Sequence, residues 1–467
     1  MALAKTQSRP SLAKLGPGTA DLGKTEAVNP PTVQTPAIEG MAKTSALAKI
    51  TFASTLGTLL EWYDFFLAAT AAAQVWPLVF FSTFSPTTAL AFSIATYGIT
   101  FFTRPIGAWI FGFLGDKLGR KSMLVWTLGV AGISMLGIAL TPSYAAIGLT
   151  APILLNLFRA TQGIGLGGEF GGATSWVVEY ASKSKHRALW SGWVQWSVPL
   201  GTVLSVISFI AAQALTGSAY LNWGWRIPFV VGALVAVLGI VIRYRLQDSP
   251  LFKQLAEKRQ LEKAPFREML KRSWRKVVVL AVLFSYITVI FSGMVNPTSL
   301  SYMAASKIPP TTALYYITYG TSFSLVTVIL GSLLGDKIGR KWVAIVSTAL
   351  TVVAALAFFP LLSTRDPLNI ILAEGSLVGC EYLFLGVVPV VYNENFPTGY
   401  RYSGSGFSFQ MGNLIAGIVI TLVIPFIISS YHGVLGATQA ITEVGVIFAL
   451  ASLVAALFLK DTRNVQL

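Results

Sequence analysis

Long apolar runs without charge alternate with short polar segments along most of this chain. The charge-free runs cover residues 65–103, 122–158, 188–225, 277–306 and 402–442. A helix that spans a bilayer needs about 20 predominantly apolar residues, so several of these runs hold one complete crossing or most of two. The pattern therefore predicts an integral membrane protein built from helices.

The runs and the breaks between them predict twelve transmembrane helices in two sets of six. The first set is expected near residues 47–71, 88–115, 121–141, 147–179, 187–215 and 225–246. The second set is expected near residues 276–304, 311–335, 341–362, 367–394, 403–430 and 434–459. The predicted fold class is an all-α membrane protein with two pseudo-symmetric six-helix bundles.

Polar segments divide the chain into five regions. Residues 1–44 are rich in Pro, Ala, Thr and Lys and have no apolar period, which predicts a disordered tail. The two bundles are expected over residues 45–246 and 276–460. A basic linker over residues 247–275 is expected to form an amphipathic helix along the membrane face. Residues 461–467 are expected to form a short second tail.

Composition and charge agree with a chain that is solvated by lipid. Only 11% of the residues are charged and 54% are hydrophobic, whereas a soluble domain has about 25% charged residues. If the amino terminus is cytoplasmic, the external connections hold only Arg226, Lys307 and Arg365. The positive-inside rule therefore places both termini in the cytoplasm and the helices in the plasma or inner membrane. It also explains the net charge of +15 without a nucleic-acid partner.

Residues that could perform covalent chemistry are scarce. The single cysteine, Cys380, excludes an intrachain disulfide and a cluster of cysteine ligands, and the two histidines, His186 and His432, lie far apart. The sequence has no Walker-type motif and no nucleophile–base constellation. These features argue against an enzyme and against ATP as energy source, and we expect no cofactor other than a coupling proton. A membrane enzyme or a transporter-like sensor is the alternative from another functional class.

One ten-residue segment occurs twice. Gly112-Phe-Leu-Gly-Asp-Lys-Leu-Gly-Arg-Lys121 recurs as Ser332-Leu-Leu-Gly-Asp-Lys-Ile-Gly-Arg-Lys341, each between the second and third helix of its half. Secondary transporters use such repeats to rock two bundles about a central site. We expect each acid to meet a helix amino terminus and the cations to pair with acids at neighbouring helix ends. The predicted cytoplasmic gate residues are Asp116, Arg120, Lys121, Glu179, Asp336, Arg340, Lys341, Glu394 and Arg401.

Five further motifs are specific enough to indicate a family. They are Glu61–Phe66, Arg104–Gly107, Arg159–Glu169, Trp223–Phe229 and Phe396–Gly404. Together with the repeat, they resemble the major facilitator superfamily and, within it, the metabolite:proton symporter family of shikimate, α-ketoglutarate, citrate and proline/betaine carriers. The second repeat departs from the superfamily signature only at Ser332, where glycine is usual, and we expect looser packing there. The resemblance implies two helical bundles and proton-driven transport.

Several charges fall inside the predicted helices. An acid or base at the centre of a bilayer costs about 2.5–3.5 kcal/mol, so each one requires a partner or a function. Glu61 and Asp64 lie three residues apart and therefore on one face of the first helix. At about 1.5 Å per residue, Asp64, Arg104 and Arg159 all fall near the midpoints of their helices. We expect these three side chains to be able to meet.

Asp64 and Arg159 form the predicted proton-coupling pair. A neighbouring guanidinium favours an ionised carboxyl group, whereas desolvation favours the protonated form, so separation of the pair would free Asp64 to take a proton. The pair resembles proton-coupled sugar carriers of the superfamily, in which a helix-one acid faces a helix-four arginine. A static pair that only permits burial of both charges is the alternative. Glu61 is expected to share the coupling role or to pair with Arg104.

Polar side chains of both halves are candidates for a substrate cavity. They are Arg104, Tyr63, Gln162, Gln195, Tyr286, Asn296, Glu374, Glu381, Tyr382, Gln410 and Asn413. For the amides and phenols, interhelical hydrogen bonding is the competing explanation. Glu374 and Glu381 lie two turns apart on one helix face, where two acids would repel an anion and attract an ammonium group.

The predicted function is proton-coupled symport of a small polar metabolite by alternating access. The substrate is expected to be an organic acid or a zwitterionic osmolyte, and the carrier is expected to be a monomer in the lipid bilayer. The glycine-dense signature that antiporters of the superfamily carry in helix five is not reproduced in Gly192–Gly201, which favours symport. An uncoupled uniporter or an efflux carrier is the alternative within transport.

Overall fold

A computed structural model describes most of the chain. The described residues are 44–118, 120–244, 265–397 and 400–465, without the side chains of 44–46, 115–121 and 265. The predictions for the tail before residue 44, for the linker up to residue 264 and for Asp116, Arg120 and Lys121 therefore lie outside the described residues. Within the described ranges the chain is helical and contains no β-strand.

All twelve predicted helices are present. The amino-terminal half holds α1 (Thr44–Gln74), α2 (Pro86–Leu118), α3 (Arg120–Leu140), α4 (Thr150–Gly167 and Glu169–Tyr180), α5 (Arg187–Thr216) and α6 (Ile227–Tyr244). The carboxy-terminal half holds α7 (Pro265–Ile290, Phe291–Ser299 and Leu300–Ala305), α8 (Pro310–Ser322 and Ser324–Ile338), α9 (Arg340–Ser363), α10 (Pro367–Leu385 and Val388–Glu394), α11 (Arg401–Ile418, Val419–Val423 and Ile424–Ser430) and α12 (Val434–Phe458). Most ends agree with prediction to within a few residues.

The start of α7 corrects the predicted linker. The helix begins at Pro265, rather than near residue 276, so the last part of the predicted linker is continuous with a spanning helix. Proline is well tolerated in the first turn of a helix because its missing N–H would have no partner there. The basic residues Arg267, Lys271 and Arg272 extend α7 beyond its apolar span, which begins after Lys276.

Most of these helices can cross a bilayer on composition alone. Nine spans within the described residues are long and apolar enough. The other three are α1, α2 and α4. Their mean hydropathy is lowered by the charged side chains that they carry inside the predicted membrane region, which are Glu61, Asp64, Arg104, Arg159 and Glu169.

A break in α7 is a feature that the apolar pattern does not reveal. Over Phe291–Ser299 the helix widens to π geometry, and Asn296 leaves the helical region with φ −133° and ψ 117°. The cause is Pro297, since proline disfavours the α conformation of the residue before it and has no N–H to donate. The break places non-helical backbone in a buried segment that packs against α1 of the other half.

The two halves approach each other closely along α5 and α8 and along α2 and α11. On α5, a Cβ added to Gly192 would meet the Ser332 hydroxyl of α8 at 1.9 Å. Ser332 also donates a hydrogen bond to the Gly386 carbonyl (3.0 Å). The expectation that serine at position 332 loosens the packing is therefore wrong, because the facing residue is the one without a side chain.

We name the two ends of the bundle for reference below. The end with the α4–α5, α8–α9 and α10–α11 connections is the basic face, which carries Arg187, Arg340 and Arg401. The end with the α1–α2, α5–α6, α7–α8 and α9–α10 connections is the opposite face.

Candidate functional site

Asp64 and Arg159 belong to one buried network in the amino-terminal half. Both side chains are fully buried, but no ion pair joins them directly. Gln162, one turn after Arg159 on α4, lies between them and donates its amide N–H to Asp64 Oδ2, while its carbonyl oxygen accepts from Arg159 Nη1. Arg159 Nη2 donates to the Tyr97 carbonyl (3.0 Å). The Gln162 amide therefore connects the two charged side chains through hydrogen bonds.

Glu61 and Arg104 form a second buried pair, one turn along α1 from Asp64. The distance from Arg104 Nη1 to Glu61 Oε1 is 3.6 Å, which is beyond hydrogen-bond range. All three guanidinium nitrogens of Arg104 lack a hydrogen-bond partner among the described residues. Its guanidinium instead lies 5.0 Å from the Phe65 ring and 6.0 Å from the Trp62 ring, at distances typical of cation–π contacts. Arg104 thus keeps hydrogen-bonding capacity for another acceptor.

Glu169 is engaged within its own half. Its carboxylate accepts from Arg243 of α6 and from the Thr127 hydroxyl of α3 (2.8 Å). Arg243 also donates to the Leu124 carbonyl (3.0 Å). These contacts join α3, α4 and α6, so in this conformation the carboxylate does not contact the facing half.

The acids of α10 have no such partners. Glu374 and Glu381 are both completely buried, and neither oxygen of either carboxyl group has a hydrogen-bond partner in the described part of the chain. On α8, a Cβ added to Gly320 would meet the Glu374 Cβ at 2.4 Å, which shows how tightly α8 and α10 enclose this side chain. The carboxy-terminal half therefore buries two acids without a base.

A small cavity lies between the halves beside these networks. Its volume is about 20 Å³, which suffices for one water molecule and not for a metabolite. It is lined by Trp62, Phe65, Phe66, Val198, Phe284, Ile287, Thr288, Phe291, Ser292, Tyr382 and Leu385. Tyr382 is the one predicted cavity residue among them. Substrate contact by the other ten requires the halves to separate.

The remaining predicted cavity residues have varied surroundings. Tyr63 donates to Ser208 and the Pro228 carbonyl (both 3.1 Å), Tyr286 bonds Ser347 (3.3 Å), and Asn413 accepts from Thr288 (3.1 Å), all within one half. Asn296 and Gln410 bond across the halves, to Thr70 (3.2 Å) and the Gly167 carbonyl (3.3 Å). Gln195 is buried with neither end of its amide hydrogen-bonded.

A larger cavity of about 570 Å³ lies at the opposite face, between the ends of α1, α5 and α7. This volume is in the range of small-molecule pockets. Gln213 of α5 crosses it, accepting from Thr311 of α8 (2.7 Å) and donating to Gln74 of α1 (3.4 Å). The bond from Thr311 thus joins the two halves at this cavity, whereas the bond to Gln74 lies within the amino-terminal half.

At the basic face the halves are joined by charged groups that cross over symmetrically. Arg187 of α5 donates to Glu394 of α10 (2.8 Å), and Arg401 of α11 donates to Glu179 of α4 (3.4 Å). Each half thus supplies one acid and one arginine to the other. All four side chains are largely buried, where such charge-assisted bonds are stronger than at an exposed surface.

Asp336 adds a third connection across the basic face. Its two carboxylate oxygens accept from the backbone N–H groups of Ala188 and Leu189 (3.0 Å each). These are the free donors of the first turn of α5, where an acid is stabilised by the helix dipole. The predicted contact with a helix amino terminus is present, but the helix belongs to the other half.

The segment after α12 completes this contact region. Thr462 donates to Glu394 Oε2 (2.5 Å), Asp461 accepts from the backbone N–H of Arg340 (3.1 Å), and Arg187 donates to the Val465 carbonyl (3.1 Å). Arg340 pairs with Glu394 (3.2 Å) as predicted. Lys341 does not pair with an acid as expected: its amine is exposed and donates to the Leu457 carbonyl (2.7 Å) of its own half.

The architecture is matched by a protein-family model. The model of the Major Facilitator Superfamily aligns with residues 55–421, which is most of the chain. This chain belongs to the major facilitator superfamily. It is therefore a multi-pass membrane transporter for small molecules, as the twelve helices and the repeated motif predict.

Relatives within the superfamily match almost the whole chain. The inner membrane metabolite transport protein YhjE of Escherichia coli K12 is 34% identical over 90% of this chain and 95% of its own length. The shikimate transporter of the same strain is 31% identical over 91% of this chain and 97% of its own length. The proline/betaine transporter of that strain is 30% identical over 90% and 84%.

Solved structures share the fold. The proton:xylose symporter XylE, bound to 6-bromo-6-deoxy-D-glucose, superposes with a TM-score of 0.71 over 89% of this chain and 96% of that chain, at 18% identity. A partially occluded inward-open conformation of XylE from E. coli superposes with a TM-score of 0.69 over 91% and 100%. Both agree with two six-helix bundles.

Some residues of these networks were not predicted. Arg187 lies in a second, weaker repeat of the two halves, in which Glu179 precedes Arg187 as Glu394 precedes Arg401. That repeat is the signal that could have indicated Arg187. Arg243 gave no comparable signal, because a basic residue at a helix end normally faces headgroups. The aromatic residues Trp62 and Phe65 could not be separated from ordinary core residues by pattern.

Proposed function

We propose that this transporter is a proton-coupled symporter of a small polar metabolite that bears a carboxylate, an organic acid or a zwitterionic osmolyte. The observation that carries the proposal is the buried network of Asp64, Gln162 and Arg159 beside the interface of the halves. A carboxyl group that is held by an amide and a nearby guanidinium can exchange that contact for a proton. The relatives include carriers of shikimate and of proline or betaine, which agrees with this substrate class.

In this proposal Asp64 is the proton acceptor. When the halves separate towards the opposite face, water reaches Asp64 and a proton binds to its carboxylate in place of the Gln162 amide hydrogen bond. Gln162 then keeps only its hydrogen bond with Arg159. The neutral carboxyl group can be buried again at a lower cost in desolvation free energy. Release of the proton on the other side restores the bond between Gln162 and Asp64. One proton therefore accompanies each cycle at this site.

Arg104 is the proposed contact for the carboxylate of the substrate. Its three nitrogens lack hydrogen-bond partners among the residues that the structure describes, and an arginine fork binds a carboxylate in a bidentate manner. The Trp62 and Phe65 rings beside it offer an apolar or cation-binding surface for the rest of the molecule. Glu61, at 3.6 Å, neutralises Arg104 while the site is empty, and substrate binding displaces that weak pair.

The crossed ion pairs at the basic face act as the proposed cytoplasmic gate. They exist only while the halves are closed at this face, so they bias the equilibrium towards a state with the cavity at the opposite face. Alternating access then consists of breaking these pairs and closing the 570 Å³ cavity. Since one chain supplies both bundles, we propose that the monomer is the transporting unit, with both termini cytoplasmic.

The experiment is uptake into proteoliposomes of radiolabelled shikimate, proline and glycine betaine, with and without an inward proton gradient. Wild type is expected to accumulate at least one of them only with the gradient. Asp64→Asn is expected to abolish gradient-driven accumulation while it retains part of the substrate exchange at equal concentrations. Glu443→Gln, an exposed acid on α12, is the matched control and is expected to behave as wild type. Accumulation by Asp64→Asn at the wild-type level would overturn the proposal, and uptake by wild type without any gradient dependence would indicate a uniporter.

A further inference from the structure

We infer that Glu374 is a second proton-binding site, held in its neutral form in this conformation and located in the half opposite to Asp64. The inference concerns a buried acid that the proposed symport does not use. Only the effect of this site on transport rests on the proposed function. The binding of the proton itself can be measured without any substrate.

The first observation is the absence of any partner for a charge. Both oxygens of Glu374 are buried without a hydrogen bond from the described residues. No charged residue occurs on α7 after Lys276, on α8 before Asp336, or on α9 after Lys341. On its own helix, Glu381 is two turns away, about 10 Å. An ionised carboxylate in such surroundings is far more costly than a neutral one.

The second observation is that the polar group beside Glu374 is a neutral hydroxyl and not a base. Ser299, at the end of the break in α7, lies beside Glu374. Its hydroxyl is placed to donate to the Val295 carbonyl (2.5 Å). A hydroxyl can either donate a hydrogen bond or accept one, so it can accept an O–H from protonated Glu374. It carries no positive charge that would balance an ionised carboxylate.

The third observation is that a cavity lies close to Ser299. Leu300 and Ser301, which follow Ser299 directly, line the 570 Å³ cavity at the opposite face, as does Ala313 of α8. Ser299 belongs to the segment in which α7 is not regular. A rearrangement of that break would move Ser299 relative to Glu374 and change the access of water to its carboxyl group. The arrangement follows the pattern by which interrupted transmembrane helices form ion sites.

Infrared spectroscopy of the purified full chain tests the proton directly. The difference spectrum between wild type and Glu374→Gln at neutral pH is expected to show the carbonyl stretch of a protonated carboxylic acid. The same difference for Glu443→Gln, the exposed control, is expected to show an ionised carboxylate. An ionised carboxylate for Glu374 would overturn the inference. A change of the Glu374 band when sodium chloride replaces potassium chloride would overturn it in favour of a sodium site.

Transport shows whether this proton moves. With the membrane potential clamped at zero, each coupled proton contributes a factor of about 10 to the accumulation ratio per tenfold proton gradient. Glu374→Gln is therefore expected to lower the accumulation of the radiolabelled substrate about tenfold under that gradient, whereas Glu443→Gln leaves it unchanged. Unchanged accumulation in Glu374→Gln would show that the proton is held permanently and would overturn its role as a second exchanged site. If wild type itself shows no gradient-driven accumulation, the proposed symport fails, while the infrared result still decides whether Glu374 is protonated.

Discussion

The two halves of this transporter bury acids in opposite ways. In the amino-terminal half, Glu61 and Glu169 each face an arginine, and Asp64 reaches one through Gln162. In the carboxy-terminal half, Glu374 and Glu381 face no base among the described residues. A buried charge must be paired or neutralised. The first half uses pairing, and for the second half we infer neutralisation by a proton. Repeated halves with one fold thus solve the same electrostatic problem by different means.

In the proposed symport, this difference separates two tasks in the transport cycle. A paired acid can exchange its arginine for a proton or a substrate, so its state responds to ligands. An unpaired acid responds only to proton concentration and to its access to water. The structural repeat at the basic face, in contrast, keeps its charges in both halves and crosses them over. The pseudo-symmetry is therefore retained where the halves contact each other and lost where they face their own interiors.

The largest effect is expected from Glu169→Met, which removes the acid of a buried ion pair in the amino-terminal half. The substitution leaves Arg243 buried without its carboxylate, and removal of one partner from a buried pair typically costs about 3–5 kcal/mol. We expect a clear decrease in the thermal unfolding midpoint of the purified full chain in detergent. The double variant Glu169→Met/Arg243→Met removes both charges and should recover most of the loss. Equal destabilisation of the single and double variants would show that volume, not the orphaned charge, is responsible.

A smaller effect is expected from a substitution at the basic face, where each half supplies an acid and an arginine to the other. Arg187→Gln removes the bond to Glu394 (2.8 Å), and hydrogen bonds to charged groups contribute about 1.5–3 kcal/mol. Opening at the basic face should therefore become about 10- to 100-fold more frequent. The measurement is the labelling rate of a cysteine placed at Thr174, which is buried there and bonds Asn393 across the halves (3.1 Å), in a Cys380→Ala background. Arg226→Gln, at the opposite face, is the control. Labelling that does not accelerate in Arg187→Gln would exclude the gate role.

The fold was predictable because membrane insertion leaves a strong signal in the chain. Twelve spans, two halves and the Arg340–Glu394 contact follow from apolar length and from the repeated charges. The contact between Arg401 and Glu179 joins two predicted gate residues whose pairing was not predicted. The boundary of α7 was not predictable in the same way. Pro265 starts that helix within a polar stretch, and hydropathy does not register a helix that continues outside the membrane.

The contacts within the site were less predictable from the sequence, for physical reasons. The participation of Gln162 between Asp64 and Arg159 depends on side-chain rotamers that one sequence does not reveal. The contact of Thr462 with Glu394 joins residues that are far apart in the chain, and a short polar segment after the last helix carries no periodicity. The break at Pro297 was visible as a proline, but proline in a membrane helix predicts a kink without showing which side chains it frees.

The smallest effect is expected from Glu381→Met, the same substitution placed in the other half. Glu381 is buried without a partner, so its replacement leaves no cation exposed to a low-dielectric interior. Exchange of a buried polar group for an apolar one of similar size is often neutral or stabilising when nothing is left unpaired. We expect an unfolding midpoint equal to or above that of wild type, measured beside Glu169→Met under the same conditions. A loss as large as that of Glu169→Met would mean that the Glu381 carboxylate is ionised and held by a group that pairs with it. In that case both halves would pair their acids, and the distinction between them would disappear.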